Sequence, residues 1–111
     1  MNTSLEELMT RLRADYLAAV PARLDMLSTA AGQLETGDSA ARTTLLTELH
    51  RLAGSAGAYG FGQVTALCRQ AEAALRSDDA PTPELGPHIR QVIEAIRAAF
   101  ARGPTTPPIA P

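Results

Sequence analysis

The chemistry of this chain centres on one histidine. His50 stands in LLTELHRLAGSAGAYGFG, Leu45 to Gly62, where a leucine-rich helical pattern runs into small residues and glycines. A neutral imidazole carries one N–H donor and one free lone pair, so it can act as nucleophile, general base or metal ligand. Each residue of a helix advances ~100° around the axis. With His50 at zero, Thr43 falls near ~20°, Gly54 near ~40°, Thr47 near ~60°, Gly57 near ~−20° and Ala53 near ~−60°. Leu45, Leu49, Leu52 and Ala56 centre near ~−130°. The ring therefore stands off the apolar stripe, on a strip of small side chains where Leu46 is the one bulky neighbour. A glycine inside a helix costs ~1 kcal/mol relative to alanine. Gly54 and Gly57 both carry that cost, and local rules tend to be broken at functional positions. Two readings follow: a histidine kept open to a large visitor, or a surface histidine beside a fraying helix end.

Tyr59-Gly60-Phe61-Gly62 predicts a tight turn after this helix. The helix that follows then folds back antiparallel, and residues equidistant from the turn come level. That places residues 68 to 72 opposite His50, a range holding Arg69, Gln70 and Glu72. Cys68 and Ala71 fall on the apolar face, so Arg69 and Glu72 flank it. A carboxylate beside His50 could accept the Nδ1 proton and leave the Nε2 lone pair free. The alternative for Glu72 is a solvated glutamate on a helix face.

Four amphipathic helices must hold these groups. Ser4 and Glu7 form an S-x-x-E capping box, followed by Leu5, Leu8, Met9, Leu12 and Tyr16 at helical spacing. Pro21 predicts a kink or break. Beyond it Val20, Leu24, Leu27, Ala31 and Leu34 form a second stripe, closed at Gly37. Asp38 or Ser39 caps a helix over about residues 40–58. Val64, Leu67, Cys68, Ala71 and Leu75 share one face of the next. Ser77 to Pro81 reads as a loop, and Thr82-Pro83 as a helix start. Leu85, Ile89, Val92, Ile93, Ile96 and Phe100 mark the last helix, stopped at Gly103-Pro104. Residues 1–103 form one bundle, and 104–111 a proline-rich tail expected to be disordered. Short connections imply an all-α, antiparallel up-down-up-down four-helix bundle with an extra or kinked N-terminal segment.

Composition narrows the function. The 111 residues suffice for one core, and hydrophobic residues make up 45% with no Trp, so the core is aliphatic and alanine-lined. Net charge is −2, which gives no support to a nucleic-acid footprint. All ten basic residues are arginine. Cys68 is the only cysteine, so no intramolecular disulfide can form and a cysteine-based zinc site is disfavoured. It reads as a small core residue. MNTSLEEL has no signal-peptide character, and no stretch approaches the ~20 apolar residues that span a bilayer. The expectation is a cytoplasmic, monomeric, free-standing module without a membrane contact. GSAGAYGFG lacks the lysine and preceding strand of a phosphate-binding loop, so no ATP site is expected. Tyr59 and Phe61 are expected to cap the hairpin, with a minor docking role open for Phe61. His88 reads as a surface histidine.

His50-Arg51-Leu52-Ala53-Gly54-Ser55-Ala56-Gly57, with Gly60 closing the helix and Cys68-Arg69-Gln70-Ala71-Glu72 on the return, resembles the histidine-containing phosphotransfer (HPt) domain. The helix layout from Leu5 to Phe100 fits, while the specific likeness lies in His50 to Gly60. The resemblance implies that His50 takes a phosphoryl group on Nε2 from a receiver-domain aspartate and passes it to another receiver. It implies that Gly54 gives access, that Glu72 orients the ring, and that Arg51 or Arg69 assists electrostatically. Leu46 and Gly57 would lie on the docking surface. Many members carry a lysine three residues after the histidine; here that residue is Ala53, so charge stabilisation is weaker or comes from the partner. The implied partners are a response-regulator receiver and a hybrid or separate histidine kinase. No cofactor or metal is expected in the domain itself; the receiver would bring a divalent metal. The chain would be a phosphoryl carrier and not an enzyme in its own right. The rival is a pseudo-HPt adaptor that binds a receiver or kinase without accepting phosphate.

Overall fold

A computed structural model describes residues 2–77 and 84–105. They form four helices: α1 (Asn2–Glu35), α2 (Ser39–Ala58), α3 (Gly62–Arg76) and α4 (Leu85–Arg102), with no strand among the described residues. Each helix packs on its neighbours in chain order, and α1 closes the ring against α4. This is the expected all-α four-helix bundle, with α1 diagonal to α3.

The connections follow from local chemistry. Gly37 sits at φ +90° and Gly60 at φ +89°, left-handed positions that favour glycine at a helix exit. Asp38 is the N-cap of α2, its carboxylate accepting the Ala40 N–H at 3.0 Å. Gly86 lies in the first turn of α4, where a β-carbon would strike the Glu35 side chain. Its smallness lets the two helix ends cross. Arg90 then donates to Glu35 at 3.1 Å.

Three N-terminal expectations are corrected. α1 begins at Asn2, so Ser4 lies inside its first turn and does not cap it. Pro21 sits within one continuous helix, so of the expected kink or break the break is excluded and the N-terminal segment is part of α1. Pro21 and Leu17 are both exposed, and the Leu17 carbonyl that loses its donor can turn to water. Val20, Leu24 and Leu27 on the other side are buried and hold the helix to the bundle. The first stripe is largely unburied: Leu5 is 55% exposed, Leu8 48% and Leu12 42%. The reason is length. α1 has 34 residues and α2 has 20, roughly 51 Å against 30 Å at 1.5 Å per residue. Tyr16 already meets Ser55 and Tyr59 at the far end of α2, so the turns before it project beyond the bundle. The molecule accordingly measures 56 × 21 × 21 Å.

The remaining core agrees with the pattern. Val64, Cys68, Ala71 and Leu75 of α3 are buried, as are Ile89, Val92, Ile93 and Ile96 of α4; Leu67, Leu85 and Phe100 are partly buried against them. Tyr59 stacks on Tyr16 at 4.5 Å. Phe61 is buried against Phe100, ring centres 4.9 Å apart, so it closes the hairpin and offers no docking surface. The Thr82-Pro83 helix start and most of the preceding loop lie outside the described residues. α4 is seen from Leu85, with Glu84 at its N-cap making no side-chain cap. Of the expected tail, Pro104 and Thr105 are described, and the Thr105 N–H donates to the Gly60 carbonyl at 3.0 Å. Residues 106–111 lie outside the described residues.

Burial pushes the Cys68 thiol up from 9.0 to about 12, with the nearby Glu72 charge adding to the shift. In the folded state it should resist alkylation by iodoacetamide at pH 8 and react only on unfolding. The unfolded thiol loses its proton from about pH 9 while the folded one keeps it to about pH 12, so stability should fall with rising pH across that window. Urea midpoints at pH 8 and pH 10.5, for the wild type and Cys68→Ala, check this. The alanine variant should lose part of the pH slope.

Candidate functional site

The His50 ring stands on the outer edge of α2, its side chain 64% exposed. Beneath it lies Glu72 of α3, a charged residue with its side chain 3% exposed. Glu72 Oε1 faces His50 Nδ1 at 3.4 Å. Glu72 Oε2 accepts from Arg69 Nη1 at 3.3 Å, one helical turn back on α3. The same Arg69 nitrogen lies 3.4 Å from His50 Nδ1. Two groups of α3 thus converge on one ring nitrogen of α2. The Gly60 turn brings them level, as the hairpin geometry predicted, and Glu72 is buried and not solvated.

This arrangement has chemical consequences. Glu72 Oε1 is buried and has no well-formed hydrogen bond among the described residues. A buried carboxylate oxygen left unsatisfied is costly, and a proton on Nδ1 is what relieves it. That tautomer puts the lone pair on Nε2, the nitrogen away from α3. In the other tautomer Nδ1 accepts from Arg69 and Nε2 carries the proton. The ion pair with Arg69 holds Glu72 in place in either case.

The other predicted residues divide. Gly54 is exposed, and a β-carbon added there meets nothing within 4 Å. Nothing in the packing of this bundle demands glycine at that position. Gly57 has a packing reason: a β-carbon would sit 3.1 Å from Thr65 Oγ1, whose hydroxyl donates to the Ala53 carbonyl at 2.6 Å. Ala53 is 1% exposed and lies in the core, so the strip beside His50 is narrower than the helical angles suggested. Arg51 turns to Glu48 at 3.3 Å and does not reach the ring. Leu46 is partly buried against the core.

A shallow groove runs along His50, lined by Leu46, Thr47, Arg51 and Arg76. Arg76 was missed from the sequence. It lies two turns beyond Arg69 on α3, a spacing of seven residues that returns to the same edge, and that was the available signal. Arg76 has no ion-pair partner among the described residues. Among those residues no cluster of three or more His, Cys, Asp or Glu could hold a metal, and no helix is long and apolar enough to cross a membrane.

The sequence profile of the Hpt domain matches residues 11–99, most of the chain. This protein belongs to the Hpt domain family. Comparison with curated proteins and with solved structures returned no significant match. Hpt domains are phosphocarriers of two-component signalling, with receivers and kinases as partners. In this Hpt domain the family profile spans His50, Gly54, Arg69 and Glu72 together.

Gly54→Ala should stabilise the protein by about 1 kcal/mol, because it relieves a helix-interior glycine and meets no neighbour. Gly57→Ala should gain less or lose stability, since Thr65 must shift from the Ala53 carbonyl. Urea denaturation of both variants measures the difference.

Proposed function

We propose that this Hpt domain relays a phosphoryl group between receiver-domain aspartates, with His50 as the acceptor. The observation that carries the reading is an exposed imidazole whose Nδ1 lies 3.4 Å above a buried carboxylate. With the proton on Nδ1, the Nε2 lone pair attacks the phosphorus of an aspartyl phosphate. The P–O bond breaks and the aspartate carboxylate leaves with its electron pair. The ring becomes an N-phosphoryl imidazolium, its Nδ1–H still turned to Glu72. A second receiver aspartate reverses the step, and the ring returns to its starting tautomer. Such transfer depends mainly on positioning and charge stabilisation, so a small carrier can leave the rest to its partner.

Each supporting residue has a separate role. Glu72 holds the tautomer and offsets the positive charge that the ring gains. Arg69 anchors Glu72. Gly54 keeps the space one turn past the ring open to the receiver. Arg51 and Arg76 flank the groove beside the ring, where a transferred phosphoryl group would meet positive charge. They take the place of the lysine that other members carry at the position of Ala53. Leu46 supplies apolar contact in the same groove.

The adaptor reading keeps one observation in its favour: the side chain at residue 53 is a buried alanine and not a cation. Incubation with a receiver phosphorylated by a small-molecule phosphodonor separates the two. The relay reading expects acid-labile, base-stable phosphate on the wild type and none on His50→Gln. Receiver binding without label transfer favours the adaptor. Glu72→Ala should lower the transfer rate by about tenfold or more, equivalent to about 1.4 kcal/mol in the barrier, with Glu72→Gln retaining more activity. Gly54→Leu should fold and fail to accept phosphate, while Gly54→Ala should remain active.

A further inference from the structure

His50 Nδ1 has two neighbours that make opposite demands on it. Glu72 Oε1, 3.4 Å away, can accept a proton from it. Arg69 Nη1, also 3.4 Å away, can only donate to it. A guanidinium is always charged and has no acceptor, so an N–H on Nδ1 and an N–H of Arg69 cannot share that space. The Nη1 nitrogen carries a pair of hydrogens. One serves Glu72 Oε2 at 3.3 Å, and the other is turned to the ring. The contact on the carboxylate side is poorer. Oε1 has no hydrogen-bond partner among the described residues, so a proton on Nδ1 would not point squarely at it. The resting ring is thus set to accept from Arg69, with its own proton on Nε2.

We propose, on the relay reading of His50, that Arg69 is a positioning residue that gates the nucleophile by holding the free ring in its Nε2–H tautomer. In that form a proton occupies the lone pair that must attack phosphorus. Opening the gate is a proton exchange. Nε2 gives one proton to water, and Nδ1 takes one from water and directs it at Glu72 Oε1. The net charge of the ring does not change. The His50 side chain is 64% exposed, so water reaches both nitrogens. The Arg69 side chain is 54% exposed and has room to turn outward. An incoming aspartyl phosphate supplies the reason to turn, because its anionic oxygens attract the guanidinium and its remaining donors. Once the phosphoryl group is on Nε2, Nδ1 keeps its proton and Arg69 cannot return to it. The lone pair is therefore bared when a phosphodonor is docked and covered when none is.

Anchoring Glu72 is a separate role of the same side chain, and the two roles predict opposite responses to its removal. Without its anchor, the carboxylate is less well held beneath the ring, and the Nδ1–H tautomer gains nothing. Without the gate, Nδ1 loses its competing donor and the Nδ1–H tautomer rises.

Nitrogen-15 NMR of the full chain, labelled at histidine, reads the tautomer directly from the high-pH plateau of the ring's titration. His50→Gln assigns the signals. The wild-type ring should be mainly Nε2–H. Arg69→Met keeps the stem of the side chain and removes its donors, and should raise the ratio of Nδ1–H to Nε2–H at least about threefold. Arg69→Lys, which restores a charged donor, should bring the ratio most of the way back. A wild-type ring that is mainly Nδ1–H overturns the proposal. So does an Arg69→Met ratio that stays level or falls, the response that loss of an anchor alone would give. Label transfer from a phosphorylated receiver is scored separately, and no partner is needed for the tautomer measurement. A wild-type chain that takes no label overturns the relay reading, while a labelled chain whose tautomer ignores Arg69 overturns the gate alone.

Discussion

The site depends on a buried carboxylate set under an exposed imidazole. Glu72 is out of contact with water, and a buried charge is tolerated only when paired and hydrogen-bonded. Arg69 supplies one partner from the same helix, and the His50 ring faces the other oxygen at 3.4 Å across the α2–α3 seam. The carboxylate therefore lies at the seam of the two helices, directly under the ring.

That constraint explains why α2 and α3 approach as they do. The Gly60 turn fixes the register of the hairpin, and Gly57 and Ala53 are small where Thr65 crosses. Small residues at the seam bring α3 near enough for a glutamate to reach the ring. Bulky residues in the core of α2, Leu45, Leu49 and Leu52, lock the opposite face. α1 and α4 add the remaining walls of the core and leave the His50 edge uncovered. Three arginines stand around the ring: Arg69 below, and Arg51 and Arg76 along the groove.

The bundle's elongation has a separate origin. α1 is longer than the helices it packs against, so its first turns cannot share their core whatever their sequence pattern. Its leucines are arranged for burial at helical spacing, yet no surface among the described residues covers them. Periodicity reports that a face is apolar and does not report whether another element is long enough to cover it.

The sequence by itself determined the helix count, the all-α class and that His50 stands off the apolar stripe of its helix. Those depend on local periods, caps and glycine turns, which short-range physics encodes in neighbouring residues. It also placed Arg69 and Glu72 level with His50, because a tight turn between two helices fixes which residues oppose. Only the tertiary structure decided that Glu72 is buried, that Ala53 belongs to the core, and that Arg76 borders the groove. It also decided that Pro21 rides within one helix and that Leu5, Leu8 and Leu12 stand clear of the bundle. Each of those depends on how far one helix extends past another and how closely the two axes approach. Such distances are set by the packing of all four helices together, and no single helix's spacing contains them.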